Sequence, residues 1–201
     1  MSSRISPIFA AALLSIPAVA SAQSFSGPHA EAIVGWNHVD GPNRERSGDG
    51  VTYGGGIGYD LRSGQLVGGV MAEMADSSGS TCKDLPVLGT VDGTGCTHNG
   101  RAAFVGGRVG FVVGEHNMIY VLGGYVNVRQ NNSYEGVKGG TMLFADFHDK
   151  RSRDGYRVGA GIERELAGKA FLKAEYRYTD IADGNVGSRQ HQVTTGVGLR
   201  F

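Results

Sequence analysis

From residue 29 onward, apolar side chains recur at every second position in segments of about ten residues, the spacing of half-buried strands. Eight such segments cover residues 29–38, 51–62, 65–75, 102–113, 118–129, 155–166, 169–179 and 190–201. No window keeps a 3.6-residue period over three turns, so strands are predicted throughout. One phase of the alternation is almost free of charge: Ala30, Ala32, Val34 and Trp36; Tyr53, Ile57, Tyr59 and Leu61; Leu66, Val70, Ala72 and Met74; Val105, Val109 and Phe111. It continues through Tyr156, Val158, Ala160 and Ile162, then Leu172, Ala174, Tyr176 and Tyr178, and ends on Val193, Val197, Leu199 and Phe201.

The opposite phase holds Glu31, Asp60, Arg62, Glu73, Arg108, Arg157, Glu163, Lys173, Glu175, Arg177 and Arg200, interleaved with glycines such as Gly54, Gly56, Gly58, Gly159 and Gly196. A cation facing hydrocarbon at the bilayer midplane costs about 2–4 kcal/mol. A one-residue slip would carry every one of these charges into lipid, so the register is fixed wherever they occur. The apolar phase is therefore expected to face lipid and the charged phase an enclosed interior. Arg164 departs from the rule at a strand end, where the cost falls toward zero. Segment 118–129 carries no such marker before Arg129, and its facing stays open.

Connections alternate in length. Ser63-Gly64, Gly114-Glu115-His116-Asn117 and Ala167-Gly168 are hairpin-sized, whereas 39–50, 76–101, 130–154 and 180–189 are long and polar. Short turns on one rim and long loops on the other is the wiring of outer-membrane barrels, with the loops outside the cell. The expected fold is all-β, an eight-stranded antiparallel transmembrane up-and-down β-barrel.

The first residues agree with export. Arg4, the apolar stretch Ile8 to Val19 and Ala20-Ser21-Ala22 form a signal-peptide pattern, with an apolar stretch shorter than the ~20 residues of a membrane-spanning helix. Residues 1–22 are expected to be cleaved, leaving a single barrel domain at 23–201. Glycine numbers 34 of 201 residues, well above a usual share of about 7%, and suits strands that bend and pack closely. The chain carries 19 basic and 19 acidic residues, and nothing in that balance points to nucleic acid. In an oxidising compartment the two cysteines, Cys82 and Cys96, are expected to form a disulfide inside the second long loop.

With these patterns in place the chain resembles the small eight-stranded outer-membrane β-barrels, the OmpA-like and opacity-protein-like group often called porin-family proteins. The resemblance spans the mature chain. It rests most on the last strand, His191-Gln192-Val193-Thr194-Thr195-Gly196-Val197-Gly198-Leu199-Arg200-Phe201, and on Lys173-Ala174-Glu175-Tyr176-Arg177-Tyr178, which is similar to the family's penultimate strand. It implies an outer-membrane location, a terminal Phe201 read by the barrel-assembly machinery, lipid as the surrounding partner, and surface recognition through the four loops. A cysteine pair in the second loop departs from the familiar members. A monomer without cofactor is expected.

Each cluster with chemical potential has a plainer reading. An interior of eight strands is just wide enough for side chains to fill, so the acids and bases are expected to neutralise one another rather than to line a conducting path. Trp36, Tyr53, Tyr59, Tyr125, Tyr156, Tyr176 and Tyr178 suit interfacial girdles. Gly54-Gly55-Gly56-Ile57-Gly58 lacks the Lys-Ser/Thr and the helix of a phosphate loop, and is read as strand curvature. Glu135, Asp146, His148 and Asp149 share a loop without supplying a cation's six oxygens, and no metal or cofactor site is expected. His191 beside Thr194 or Ser188 is the one place where a lipid-modifying enzyme could be sought, and no Gly-x-Ser-x-Gly elbow exists. No catalytic residue is expected. A narrow porin, a lipid-modifying enzyme and a soluble lipocalin-like ligand-binding barrel are the alternatives to a surface protein.

Overall fold

The computed structural model describes residues 24–40, 48–78, 80–87, 91–138, 149–182 and 188–201. The expected signal peptide lies outside the described residues, as do Asp146 and His148 and the side chains of Glu135 and Asp149. The strands are β1 (Gly27–Asp40), β2 (Gly48–Ser63), β3 (Leu66–Ser77), β4 (Ser80–Val87), β5 (Val91–Val113), β6 (Asn117–Lys138), β7 (Asp149–Glu165), β8 (Ala170–Ala182) and β9 (Ser188–Arg200).

All pair antiparallel in the order β3-β2-β1-β9-β8-β7-β6-β5-β4, and an additional β3–β5 pairing closes the ring. The wall thus has eight strands, with β4 attached to β5 beyond the closure. First and last strands meet along their whole length, from His29 opposite Arg200 to Asp40 opposite Arg189. Closure follows from the solvent: hydrocarbon offers no partner to an unpaired backbone group, so a sheet can cross it only without edges.

The two faces are chemically opposite. Ile57 is 67% exposed and Val70 65%, while Arg177 is 1% exposed and Asp60 0%. An apolar exterior around a charged interior inverts the arrangement of a soluble lipocalin-like barrel. Strand β6 takes the facing that the sequence left open: Met118, Tyr120, Leu122, Val126 and Val128 point inward and buried, while Ile119, Val121 and Tyr125 face out. Its interior residues join Val67, Met71, Phe104, Val112 and Ile181 in an apolar cluster on one side of the lumen.

Two of the expected long loops are largely strand. Residues 91–99 of β5 continue above the wall, pairing with β4 on one side and with 130–138 of β6 on the other. Outside hydrocarbon no face need be apolar, so alternation disappears while backbone pairing and β-branched residues such as Val91, Thr94 and Thr97 sustain the strand. The turns differ less. Gly64 and Gly114 take φ of 63° and 69° at two hairpins, as glycine readily does. The third is a 3-10 turn over Ala167–Lys169 in which Lys169, with φ 68°, adopts the left-handed conformation.

The glycines of the inward phase do more than bend strands. A Cβ on Gly58 would lie 2.5 Å from the His29 ring, one on Gly161 2.8 Å from the Tyr120 ring, and one on Gly106 2.5 Å from the Phe104 ring. These three inward glycines are the niches of large neighbouring rings, a close packing that a narrow lumen requires.

Candidate functional site

The interior charges come together along the barrel axis in two groups. Near the short-turn rim, Asp60 of β2 accepts two hydrogen bonds from Arg108 of β5, Nε to Oδ1 at 2.9 Å and Nη2 to Oδ2 at 2.5 Å. Arg200 of β9 donates to the same carboxylate at 2.7 Å. Both arginines also reach Glu163 of β7, Arg108 at 2.9 Å and Arg200 through Nη2. Two carboxylates and two guanidinium groups neutralise one another.

Farther up, Lys173 bridges Glu31 at 2.6 Å and Glu175 at 3.1 Å. Arg177 grips Glu73 with two bonds of 2.8 Å and donates to Glu175 through Nε at 2.7 Å. Arg157 closes the group, donating to Glu73 at 3.1 Å and to Thr179 at 3.1 Å. Here three carboxylates meet three cations. Tyr120 joins the two groups: its hydroxyl donates to Glu175 at 2.5 Å, and its ring lies 5.2 Å beneath the Arg108 guanidinium.

Of the eleven interior charges named from the sequence, Arg62 is the exception. It is half-buried at the short-turn rim and donates to the carbonyls of Gly64 at 2.8 Å and Ser24 at 3.0 Å. Its position as the last inward residue before the hairpin leaves it beyond the carboxylates, and the chain that enters the rim captures it instead. That entering segment also seats Phe25, fully buried, whose N–H donates to Glu165 at 2.5 Å and whose ring lies 5.7 Å from Arg200.

His29 was missed in the sequence. It is buried with Nδ1 3.2 Å from Asp60 Oδ2 and stands edge-on to Phe171 at 5.9 Å. Its parity with Glu31 is the signal that would have placed it inside. Phe104 and Phe171 were missed as well; each lies 5.2 Å from an arginine, Arg157 and Arg200 respectively.

Chemically, such an array can plug and brace a barrel. Each of these ten charges is held by a neighbour from another strand. At the long-loop end the wall opens into a vestibule of about 490 Å³, including space open to solvent, whose floor includes Arg157, Thr52 and Gln192. The narrow-porin reading would need that vestibule to continue past Arg157, which is held by Glu73 at 3.1 Å and lies 5.2 Å from the Phe104 ring.

The enzyme constellation is not assembled. His191 lies on the outer face, against Tyr176 at 2.6 Å, with Tyr178 edge-on at 5.2 Å. Thr194 is buried in the lumen with its hydroxyl 3.4 Å from Glu175, and Ser188 shares Thr194's inward parity. Among the described residues, no group of three or more His, Cys, Asp and Glu side chains is placed to hold a metal. The backbone sets Cys82 of β4 directly opposite Cys96 of β5, while the side chains of both lie outside the described residues. Phe201 ends the wall, 68% exposed on the lipid side.

A family model described as outer membrane protein beta-barrel domain matches residues 8–201. Among solved structures the chain is similar to neisserial surface protein A, with 16% identity, a TM-score of 0.59, and coverage of 88% of this chain and 98% of that one. It is similar to the attachment invasion locus protein Ail of Yersinia pestis, solved with the heparin analogue sucrose octasulfate, at 16% identity and a TM-score of 0.50 over 87% and 99% of the two chains. The N-terminal β-barrel domain of Pseudomonas aeruginosa OprF gives 15% identity and a TM-score of 0.50 over 88% and 98%. No curated protein matches the chain significantly.

Proposed function

This chain belongs to the outer membrane protein beta-barrel family, and on that premise we propose that it is a plugged anchor that presents its loops at the cell surface for recognition. The observation that carries the reading is the lumen. Ten buried charges, five of each sign, are held across the bore by mutual ion pairs. In this reading the wall does not conduct and the role is carried by what stands on it; rigid scaffolds bearing exposed loops are where recognition resides.

The loops 39–50, 76–101, 130–154 and 180–189 are the recognition elements in this reading, and the β4–β5–β6 extension belongs to the second and third of them. A disulfide between Cys82 and Cys96 staples that extension; directly opposed antiparallel residues have Cα atoms about 4.5–5.5 Å apart, inside the range a disulfide bridges. Cleavage after Ala22, recognition of Phe201 by the assembly machinery and a monomeric state complete the proposal. Surface adhesion is the favoured role, in keeping with the names of two proteins of similar fold, neisserial surface protein A and the attachment invasion locus protein.

The test is adhesion of cells expressing the protein to a basement-membrane extract, compared with cells carrying an empty vector. Adhesion above the vector control, lost when residues 80–99 are replaced by a short Gly-Ser link in a barrel that still shows a heat-dependent gel shift, is the expected result. Adhesion unchanged by that replacement would refute the assignment to this extension.

A further inference from the structure

Around the long-loop rim the outward acidic groups have partners: Asp49 meets His38 at 2.7 Å, Asp154 accepts from Asn127 at 2.6 Å and from Tyr125, and Asp180 lies 4.0 Å from Arg189. Arg101 of β5 and Arg129 of β6 are different. Both are exposed, and among the described residues neither guanidinium enters an ion pair or a hydrogen bond.

Their placement is built by a local irregularity. Pairing of β5 with β6 runs from Asn99 opposite Gln130 to Ala102 opposite Val128, so Gly100 and Arg101 together oppose Arg129 as a bulge. A side chain at residue 100 would collide with the Arg129 carbonyl, and glycine lets the strands close there. Bulges commonly re-aim a side chain at a barrel rim. Here the bulge brings two cations to the same height, facing the same way.

That height can be read from the wall. The last apolar outward rung on these strands is Val105 opposite Tyr125, and each arginine lies four residues beyond it. Four residues advance about 13 Å along a strand, or about 10 Å along the normal at the usual tilt. Tyrosine marks the edge of hydrocarbon, so the arginine pair sits at the level of lipid phosphates. Ser152, opposite Arg129, lies on the same face with its hydroxyl donated to Asn127 Oδ1 at 2.9 Å.

We propose that Arg101 and Arg129 form a clamp for the phosphate of a lipid headgroup in the outward leaflet. Two arginines at one level of adjacent strands suit a phosphomonoester, whose doubly charged oxygens accept paired hydrogen bonds in the geometry that arginine offers. The lipid source follows from position: the pair faces away from the lumen, above an apolar wall that an acyl chain would line.

The experiment uses the full barrel in phosphatidylcholine nanodiscs doped with phosphatidic acid, with lipid retained on release into detergent counted by native mass spectrometry. The wild type should keep phosphatidic acid in preference to phosphatidylcholine. Arg101→Gln and Arg129→Gln, each with a wild-type heat-dependent gel shift, should lower that preference about fivefold apiece, and the double variant should abolish it. Equal retention of both lipids by the wild type, an unchanged preference in the double variant, or displacement of the lipid by millimolar inorganic phosphate would overturn the proposal, the last by assigning the clamp to a free anion.

Discussion

Replacing Arg177 with methionine removes the cation that holds Glu73 by two bonds of 2.8 Å and also reaches Glu175. The side chain is 1% exposed, so water cannot take its place without opening the barrel. Three carboxylates would then face two cations, Arg157 and Lys173. Removing one partner of a buried pair costs about 3–5 kcal/mol, because a charge is left uncompensated in a poorly polarisable surrounding. With a urea slope near ~2 kcal/mol per molar, the unfolding midpoint of vesicle-bound protein should fall by about 1.5–2.5 M. The geometry also names the rescue. Adding Glu31→Gln restores neutrality and leaves two intact pairs, Glu73 with Arg157 at 3.1 Å and Glu175 with Lys173 at 3.1 Å. The double variant should therefore recover about 1 kcal/mol or more over Arg177→Met, a coupling of the size seen between directly interacting sites. A single variant that loses less than ~1 kcal/mol, as an exposed pair would, or a double variant that is additively worse, would refute the neutral-network reasoning.

Three further outcomes follow from named contacts. Tyr120→Phe deletes the 2.5 Å bond to Glu175 that links the two charge groups and should cost about 1.5–3 kcal/mol in the same urea titration. Gly198→Ala drives a Cβ into the edge of the Phe171 ring and to 2.6 Å from the Ala30 carbonyl oxygen and should destabilise by about 1–3 kcal/mol, with Phe171→Leu in the same chain restoring the part of the loss that the ring causes. Ile57→Arg places a cation on the lipid face, 67% exposed, and should cost about 2–4 kcal/mol in bilayers while Arg164→Ala, at a strand end, changes stability by less than ~1 kcal/mol; equal effects would argue against the assigned depths.

The phase of the wall was legible in the sequence because charge is intolerable on one face. Glu31, Asp60, Glu73, Lys173 and Arg177 each fix a strand by parity alone. Strand β6 escaped because its faces are both apolar: Met118, Tyr120 and Leu122 fill the lumen, and Ile119 and Val121 meet lipid. The upper parts of β5 and β6 escaped because alternation is a signature of hydrocarbon, and those residues stand outside it. Arg62 shares the parity of the network but not its height, and parity carries no information about which carboxylates are within reach. The pairing of large interior rings with opposing glycines, Phe171 with Gly198 and His29 with Gly58, depends on register between strands far apart in sequence. His29 itself carried the right parity but no unambiguous charge.

The central claim is that the apolar phase meets lipid and its complement fills a sealed interior. The single tryptophan, Trp36, reports on it directly, being half-exposed on the outward face of β1 next to the buried Asn37. In vesicles containing phospholipids brominated at different acyl positions, its fluorescence should be quenched most by bromine near the headgroup and little by aqueous iodide. Strong quenching by iodide with none by brominated lipid would place Trp36 on the watery side and contradict the assignment of the two faces.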